Sequence, residues 1–285
     1  MHIKTFGLVD QRSLEQLKRC MEAGDAEFGV LCADHHPGYA QPIRGAIAYE
    51  GYVSPSGVGF DVACGNKAAQ TDMTVADLGE RGGVETIMRE ITSRISFGMG
   101  VPARERLDHP VLDRIRSAAF ARQRKLHQIA ESQLGTIGSG NHFVNLFEDE
   151  EGKVWIGVHF GSRGFGHKTA SGFLALAQGL AFDTRAHEGE MDSPPVLFEI
   201  DSELGQSYIA AMDVAGDYPM RAATSSSTRC STSSVPKRPT RSTTTTTSPG
   251  ARRTSAATTG SSARAARRRD RVRRGSWVGR WATSR

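Results

Sequence analysis

The chain lacks the features that mark membrane and secreted proteins. No apolar run reaches the roughly 18 residues needed to span a bilayer, and the first residues, MHIKTFGLVDQRSLEQL, lack the apolar core of a signal peptide. The four cysteines (Cys20, Cys32, Cys64 and Cys230) do not follow the spacing of a secreted disulfide framework. We therefore expect a cytoplasmic protein with no membrane partner, in which a reduced cysteine can act as a thiolate ligand.

The end of the chain has almost no acidic residues and no histidine. Residues 221–285 contain 16 Lys and Arg against the single acid Asp270, whereas residues 1–220 contain 20 basic and 30 acidic residues. The tail is also poor in aliphatic residues, so it cannot bury enough apolar surface to offset its chain entropy. We expect one domain at 1–218 and a basic, disordered tail at 219–285. The basic overall charge therefore does not indicate that the domain binds nucleic acid.

The hydrophobic periodicity predicts a mixture of helices and strands. Helices are expected at 13–21 (with Ser13 as N-cap), 84–95, 110–133, 169–180 and 201–212, and strands at 28–32, 143–146 and 154–159. The density of Gly and Pro from 34 to 65 predicts loops and short strands there. Because strands and helices do not alternate regularly, the pattern indicates an α+β fold without a doubly wound sheet.

Four potential metal ligands lie in glycine-rich surroundings. They are Asp61 and Cys64 in SPSGVGFDVACGN, His142 in GTIGSGNHF, and His159 in VHFGSRGFGH. A carboxylate, a thiolate and two imidazoles suit a divalent transition metal. Taken singly, each also has an ordinary structural role: aspartate in a turn, cysteine as a small buried hydrophobe, or histidine as a satisfied polar group.

Phosphate binding is indicated by residues beside these ligands. Ser162 and Arg163 lie in a glycine turn whose N–H groups could form an anion nest, with the guanidinium as a fork. Asn141 could donate to a phosphate or a ribose. An exposed arginine and an asparagine that caps a turn are the alternatives. The glycine motifs match neither a Walker A loop nor a dinucleotide-binding fingerprint.

Taken together, five segments resemble the RtcB family of GTP-dependent RNA ligases. They are ADHHPGYAQPIRGAIAY, SPSGVGFDVACGN, GTIGSGNHF, VHFGSRGFGH and YIAAMDVAGDY, spread from Asp34 to Tyr218. The resemblance implies a mixed fold with central β-sheet layers and flanking helices. It also implies that RNA 3′-phosphate or 2′,3′-cyclic phosphate ends (tRNA halves or broken RNAs) are joined to 5′-hydroxyl ends, with GTP, manganese and a guanylated histidine.

The resemblance assigns roles to particular residues of this chain. Cys64 would bridge two Mn²⁺ ions, Asp61 and His142 would complete one metal site, and His159 would serve the other. Guanylate contacts would come from Asn141 and the residues that follow it (His142, Phe143, Val144 and Asn145), and Arg163 would bind a phosphate. Two ions can neutralise phosphate charge and hold the attacking and leaving oxygens.

Two histidines that the family requires are missing. The family has a further metal histidine in a motif resembling HNHHNF and a guanylate-accepting histidine beyond it, but this chain has no histidine after His187. No catalytic nucleophile can be assigned, so we expect the polypeptide to be inactive. Codons for RSTTTTTSPG, residues 241–250, can be chosen that give VHNHHNFAW when read one nucleotide out of frame. We infer that the chain leaves the family frame after Tyr218.

Two other functions are compatible with the sequence. One is a metal-dependent phosphoesterase that uses the same four ligands without GTP. The other is a non-catalytic RNA binder, because a tail with 16 basic residues would bind RNA weakly and with strong salt dependence.

The inferred frame change predicts the outcome of resequencing the source DNA across the codon for Tyr218. We expect an additional G after that codon, because Tyr-Pro-Met-Arg then becomes Tyr-Ala-Tyr-Ala and the histidine motif returns downstream. A confirmed sequence without the additional base would establish the basic tail as a genuine product of the gene.

Overall fold

The computed structural model describes residues 1–186, 191–233 and 241–247. The strands are β1 (His2–Thr5), β2 (Phe28–His36), β3 (Ile43–Ala48), β4 (Tyr52–Val53), β5 (Cys64–Thr74), β6 (Phe143–Glu148), β7 (Lys153–Gly161), β8 (Phe198–Glu199) and β9 (Arg241–Thr247). The helices are α1 (Gln11–Ala23), α2 (Pro55–Val58), α3 (Val75–Glu80), α4 (Gly83–Arg94), α5 (Pro110–Arg116), α6 (Ala121–Arg124), α7 (His127–Gln133), α8 (Arg163–Ala177) and α9 (Glu203–Ser233). This mixture confirms the α+β prediction. None of the described helices combines the length and apolar character of a bilayer span.

The first of two compact units combines Met1–Phe60 with Lys168–Met212. Its sheet has the order β1-β2-β3, with β1 parallel and β3 antiparallel to β2. Helix α1 covers this sheet through Leu17 and Met21, which pack with Leu31. A second core contains the rings of Phe173, Phe182, Phe198 and Tyr208, whose contacting pairs have centroids 5.1–6.4 Å apart.

The second unit contains the candidate site and combines Asp61–His167 with Asp213–Pro249. Its antiparallel sheet has the order β6-β7-β5-β9. In β7, Val154, Ile156 and Val158 are buried, whereas Trp155 and His159 between and beyond them are only partly buried. Because successive strand residues point to opposite faces, one face of β7 packs in the core and the other carries His159.

Several predicted helices begin or end elsewhere in the structure. Helix α1 has Asp10 as its N-cap, and Ser13 lies inside it, because the Asp10 side chain accepts from the Ser13 N–H at 2.7 Å. Helix α8 begins at Arg163, inside the stretch that the sequence predicted as a glycine turn.

The predicted long helix at 110–133 is wrong, because α5, α6 and α7 are separate. The hydroxyl of Ser117 donates to the Asp113 carbonyl at 2.9 Å. The guanidinium of Arg124 donates to the carbonyls of Ala118 and Ala119 at 2.6 and 3.2 Å. The Asp113 carbonyl also accepts the backbone N–H of Ser117 at 2.9 Å, so α5 ends there with its hydrogen bond made. The Arg124 guanidinium supplies the donors that the N–H groups of a continuous helix would otherwise give to the Ala118 and Ala119 carbonyls.

Two segments of the basic tail have a described backbone. Helix α9 continues past the expected domain boundary at 218/219 to Ser233, with Pro219 inside it, and β9 pairs with β5. The remaining tail residues lie outside the described part of the chain, so their predicted disorder stays a prediction.

The β6–β7 turn is held by one carboxylate. Asp149 Oδ1 accepts from the backbone N–H groups of Glu151 and Lys153 at 3.0 and 2.9 Å. Its Oδ2 accepts from the indole of Trp155 at 2.7 Å and from the amide of Gln70 on β5 at 3.2 Å. Asp149 thus connects the turn to two strands of the sheet that carries the candidate site.

We predict that Asp149→Ala lowers the free energy of unfolding by about 1–2 kcal/mol, because several charge-assisted hydrogen bonds are lost. Burial would raise the pKa of the Asp149 carboxyl, but its donors, led by Trp155, lower it. The contribution is therefore present above the unfolded pKa of about 3.9 and is lost as pH falls through the lower folded value. Urea unfolding measures both effects. The exposed neighbour provides the control Glu150→Ala; equal midpoints for the two variants would contradict the assignment.

Candidate metal and guanylate site

Three of the four predicted metal ligands converge in the second unit. Cys64, His142 and His159 each offer a ligand atom, and these atoms all lie within 4.8 Å of one another. The sheet explains the convergence: Cys64 is paired with Gly161, and His159 is paired with both Asn66 on β5 and Phe143 on β6. His142 immediately precedes β6, so all three ligands lie at the same end of the sheet.

The fourth predicted ligand, Asp61, lies beside this cluster. Its Oδ2 is 2.9 Å from His142 Nε2 and 3.5 Å from Cys64 Sγ. Its Oδ1 accepts from the backbone N–H of Ser162 at 2.9 Å and is 3.3 Å from the Ser162 hydroxyl. A Cβ atom at Gly161 would overlap the carboxylate, so only glycine leaves room for Asp61 at this position.

These contacts keep Asp61 ionised. Burial would by itself raise the pKa of the Asp61 carboxyl, but the hydrogen bond and charge of His142 lower it. Donors from Cys64 and from the Ser162 backbone act in the same direction, so the net pKa lies below the ordinary aspartate value. The site therefore presents a carboxylate, which is the form that coordinates a cation.

The orientation of His142 follows from its two neighbours. Arg163 Nη1 is 3.0 Å from His142 Nδ1, and because a guanidinium can only donate, Nδ1 is the acceptor. In the neutral ring Nε2 then carries the proton and faces the Asp61 carboxylate. A neutral His142 could ligate a metal through Nε2 only if its proton moved to Nδ1 and Arg163 Nη1 released that atom.

His159 is oriented by an asparagine that was not among the predicted site residues. Its Nδ1 is 2.7 Å from Asn66 Oδ1, so Nδ1 donates and Nε2 keeps the lone pair needed by a metal. Asn66 belongs to the CGN motif, and it lies two residues after Cys64 on the same strand face. Strand alternation was therefore the signal that could have identified it.

The donor set fits a divalent transition metal. Thiolate, imidazole and carboxylate are the ligands of Zn²⁺ and of similar ions. Two of them, His142 and His159, already have a second hydrogen-bonding partner that fixes the ring. The His159 contact, in which the ring donates its second N–H, is typical of metal-ligating histidines, whereas His142 accepts from Arg163.

The predicted guanylate residues lie around this cluster in different environments. Asn141 is exposed, and the Phe143 ring lies 5.6 Å from the His159 ring. Val144 is buried, so its backbone is the part that can contact a ligand, whereas Asn145 is partly buried and shares the face of Phe143 by alternation.

The two predicted phosphate-binding residues, Ser162 and Arg163, have different environments in the structure. Ser162 is fully buried and donates to Asp61, so it positions a ligand and does not form part of an open anion nest. Arg163 packs against Gly138, where a Cβ atom would overlap its guanidinium. Within the described part of the chain its buried Nε has no hydrogen-bond partner, which leaves a donor for an anion.

Comparison with known proteins identifies relatives over most of the chain. The model of the family described as tRNA-splicing ligase RtcB matches residues 24–122 and 112–225. The tRNA-splicing ligase RtcB of Thermococcus kodakarensis is 28% identical over 256 residues, which cover 73% of this chain and 52% of the relative. The RNA-splicing ligase RtcB of Escherichia coli K12 is 32% identical over 161 residues, or 52% of this chain and 40% of the relative. The chain thus spans about half the length of the curated relatives it matches.

The contact between Asn66 and His159 leads to a prediction about metal affinity. We expect Asn66→Ala to weaken Co²⁺ binding about 10–100-fold, because the His159 ring loses the acceptor that orients it. Asn66→Asp keeps an acceptor oxygen and should retain most of the affinity. The thiolate-to-cobalt absorption band reports Cys64 directly, with Cys32→Ser as the control for the exposed thiol. An unchanged affinity in Asn66→Ala, or equal losses in both variants, would contradict this role.

Proposed function

Because the chain belongs to the RtcB family, we propose that it derives from an RNA ligase that joins RNA 3′-phosphate or 2′,3′-cyclic phosphate ends to 5′-hydroxyl ends, with GTP and manganese. The observation that carries the proposal is the convergence of Cys64, His142 and His159, with Asp61 in contact. The RNA ends would be tRNA halves or broken RNAs in the cytoplasm.

The ligands would be shared between two Mn²⁺ ions. Cys64 would contact both, Asp61 and His142 would complete one site, and His159 would belong to the other. Ions bound there would neutralise phosphate charge and orient the reacting oxygens. The protein itself contributes the fixed geometry, because Ser162 holds Asp61, and Arg163 and Asn66 hold the two histidine rings.

Guanylate would lie beside the start of β6. Asn141 is exposed there and can donate to a phosphate or ribose oxygen, and Phe143 and Asn145 share the strand face that carries the cluster. The guanidinium of Arg163 has several N–H donors, and His142 is contacted through Nη1. Its other N–H groups can donate to a phosphate. Burial lowers the pKa of Arg163, although nearby anionic groups, first Asp61, oppose the shift.

Two structural observations support the inferred frame change. Strand β9, which becomes the histidine motif in the other frame, pairs with β5 so that Thr246 lies opposite Gly65 and Thr247 opposite Cys64. A metal histidine would be required in this neighbourhood. Pro219 lies inside α9, where a proline costs about 3 kcal/mol, whereas the restored frame has alanine at that position.

We infer that this polypeptide does not complete the reaction. The family's nucleophilic histidine has no counterpart after His187. The resemblance ends near Tyr218, a buried residue whose hydroxyl donates to the Ala130 carbonyl at 2.8 Å. The ligand cluster is thus retained in a chain without the group that accepts the guanylate.

We predict that incubation with labelled GTP and Mn²⁺ leaves no covalent guanylate on this chain. A chain with the additional G after the Tyr218 codon should become labelled, and Cys64→Ala in that restored chain should abolish the label. Gel analysis after denaturation measures the adduct, and a labelled band on the unrestored chain would overturn the proposal. Release of phosphate from a simple ester with Mn²⁺ alone would instead favour a metal-dependent phosphoesterase.

A further inference from the structure

Residues 89–125 form a basic segment within an otherwise acidic part of the chain. This basic segment contains nine Lys and Arg against four acidic residues, whereas the rest of 1–220 contains 11 basic and 26 acidic residues. The segment therefore has a net charge of +5 in surroundings whose net charge is −15. The whole segment belongs to the unit that contains the metal cluster.

Part of the positive charge of the basic segment is available to an external partner. Arg114 pairs with Asp217, Arg116 pairs with Asp113, and Arg124 donates to two carbonyls, but the other six side chains are less constrained. All nine side chains belong to exposed residues: Arg89, Arg94, Arg104, Arg106, Arg114, Arg116, Arg122, Arg124 and Lys125. Among the described residues, Arg89, Arg94, Arg122 and Lys125 have no ion-pair partner. Arg106 is 4.0 Å from Glu131, but its side chain is 86% exposed, so this pair holds it only weakly.

Helix dipoles explain only part of this pattern. Arginines occupy the last turns of α4, α5 and α6, where a positive charge is favourable by about 0.3–1 kcal/mol. Helices α1, α3 and α7 have no basic residue in the same position. Arg104 and Arg106 lie in a loop, where no dipole accounts for them.

The loop of the basic segment lies directly against the candidate site. Backbone hydrogen bonds join Ile137 N to Ser96 O at 3.0 Å and Gly98 N to Gly138 O at 2.7 Å. A third joins Ala103 N to Ser132 O at 2.6 Å. Gly138 is also the residue against which the Arg163 guanidinium packs. The loop backbone is thus hydrogen-bonded to the segment that contacts the arginine beside His142.

We propose that the basic segment binds the phosphodiester backbone of the RNA substrate and guides its end to the metal cluster. The inference rests on the proposed function for the class of substrate. Arginine pairs with phosphate through several N–H donors, and backbone phosphates supply most of the affinity of proteins for nucleic acid. Arg104 and Arg106 lie in the loop itself, and Arg94 lies in the last turn of α4 just before it. The Arg104 guanidinium is 3.5 Å from the Thr92 carbonyl, so it lies close to that helix end.

The test compares two triple variants of the full chain that remove the same charge. Arg94→Gln with Arg104→Gln and Arg106→Gln changes the basic segment, and Lys4→Gln with Arg12→Gln and Lys18→Gln changes exposed residues of the other unit. Binding of a short unstructured RNA with a 3′-phosphate is measured by fluorescence anisotropy across a salt series. The basic tail is identical in both variants, so its contribution cancels in the comparison.

The basic-segment variant should bind about tenfold or more weakly near 0.1 M salt. The slope of log Kd against log salt concentration should decrease by about 2 in this variant, because each of the three lost phosphate contacts contributes about 0.7 to the slope. The affinity of the control variant should change by less than about twofold. Both variants should unfold cooperatively in urea, and the midpoint of the basic-segment variant should fall only by the small helix-dipole contribution of Arg94. Equal losses in the two variants, or no loss in either, would overturn the inference. Because this binding is measured without GTP or metal, a failure of the guanylate experiment affects the proposed function separately.

Discussion

The antiparallel register between β5 and β7 is the constraint on which the candidate site depends. It pairs Cys64 with Gly161 and Asn66 with His159, which brings a thiol and an imidazole from distant parts of the sequence together. A slip of one residue would turn His159 to the face occupied by Val158 and the core. Hydrophobic burial of that core face therefore determines where the polar ligands lie.

The ligands are held by polar contacts that do not require a metal ion. A continuous series of contacts runs from Ser162 through Asp61 and His142 to Arg163. Each member fixes the protonation or the orientation of the next, because carboxylates accept and guanidinium groups only donate. The cluster is in this sense preorganised, and the cost of bringing four ligands together is met during folding.

The net charge of the whole chain does not reveal that acidic and basic residues are concentrated in different segments. The described region is acidic on balance, yet the exposed residues of 89–125 are basic and are attached through their loop to the glycine turn beside Arg163. An acidic region can therefore still attract a polyanion locally, since screened electrostatic interactions act over about 10 Å. The basic tail reverses the sign of the total charge, so the overall composition does not show that residues 89–125 are more basic than the rest of 1–220.

Local signals in the sequence were enough to predict the class of the fold and a set of candidate ligands. Ligand types, glycine-rich surroundings and the strand of β7 are such signals, so Asp61, Cys64, His142 and His159 could be proposed without coordinates. The groups that position them became visible only through long-range contacts in the folded chain. Asn66 and Ser162 act through partners 93 and 101 residues away. The same limit explains the helix predicted at 110–133. Its apolar residues are buried by three short helices, and the Arg124 guanidinium donates to the Ala118 and Ala119 carbonyls between them, which local periodicity does not encode.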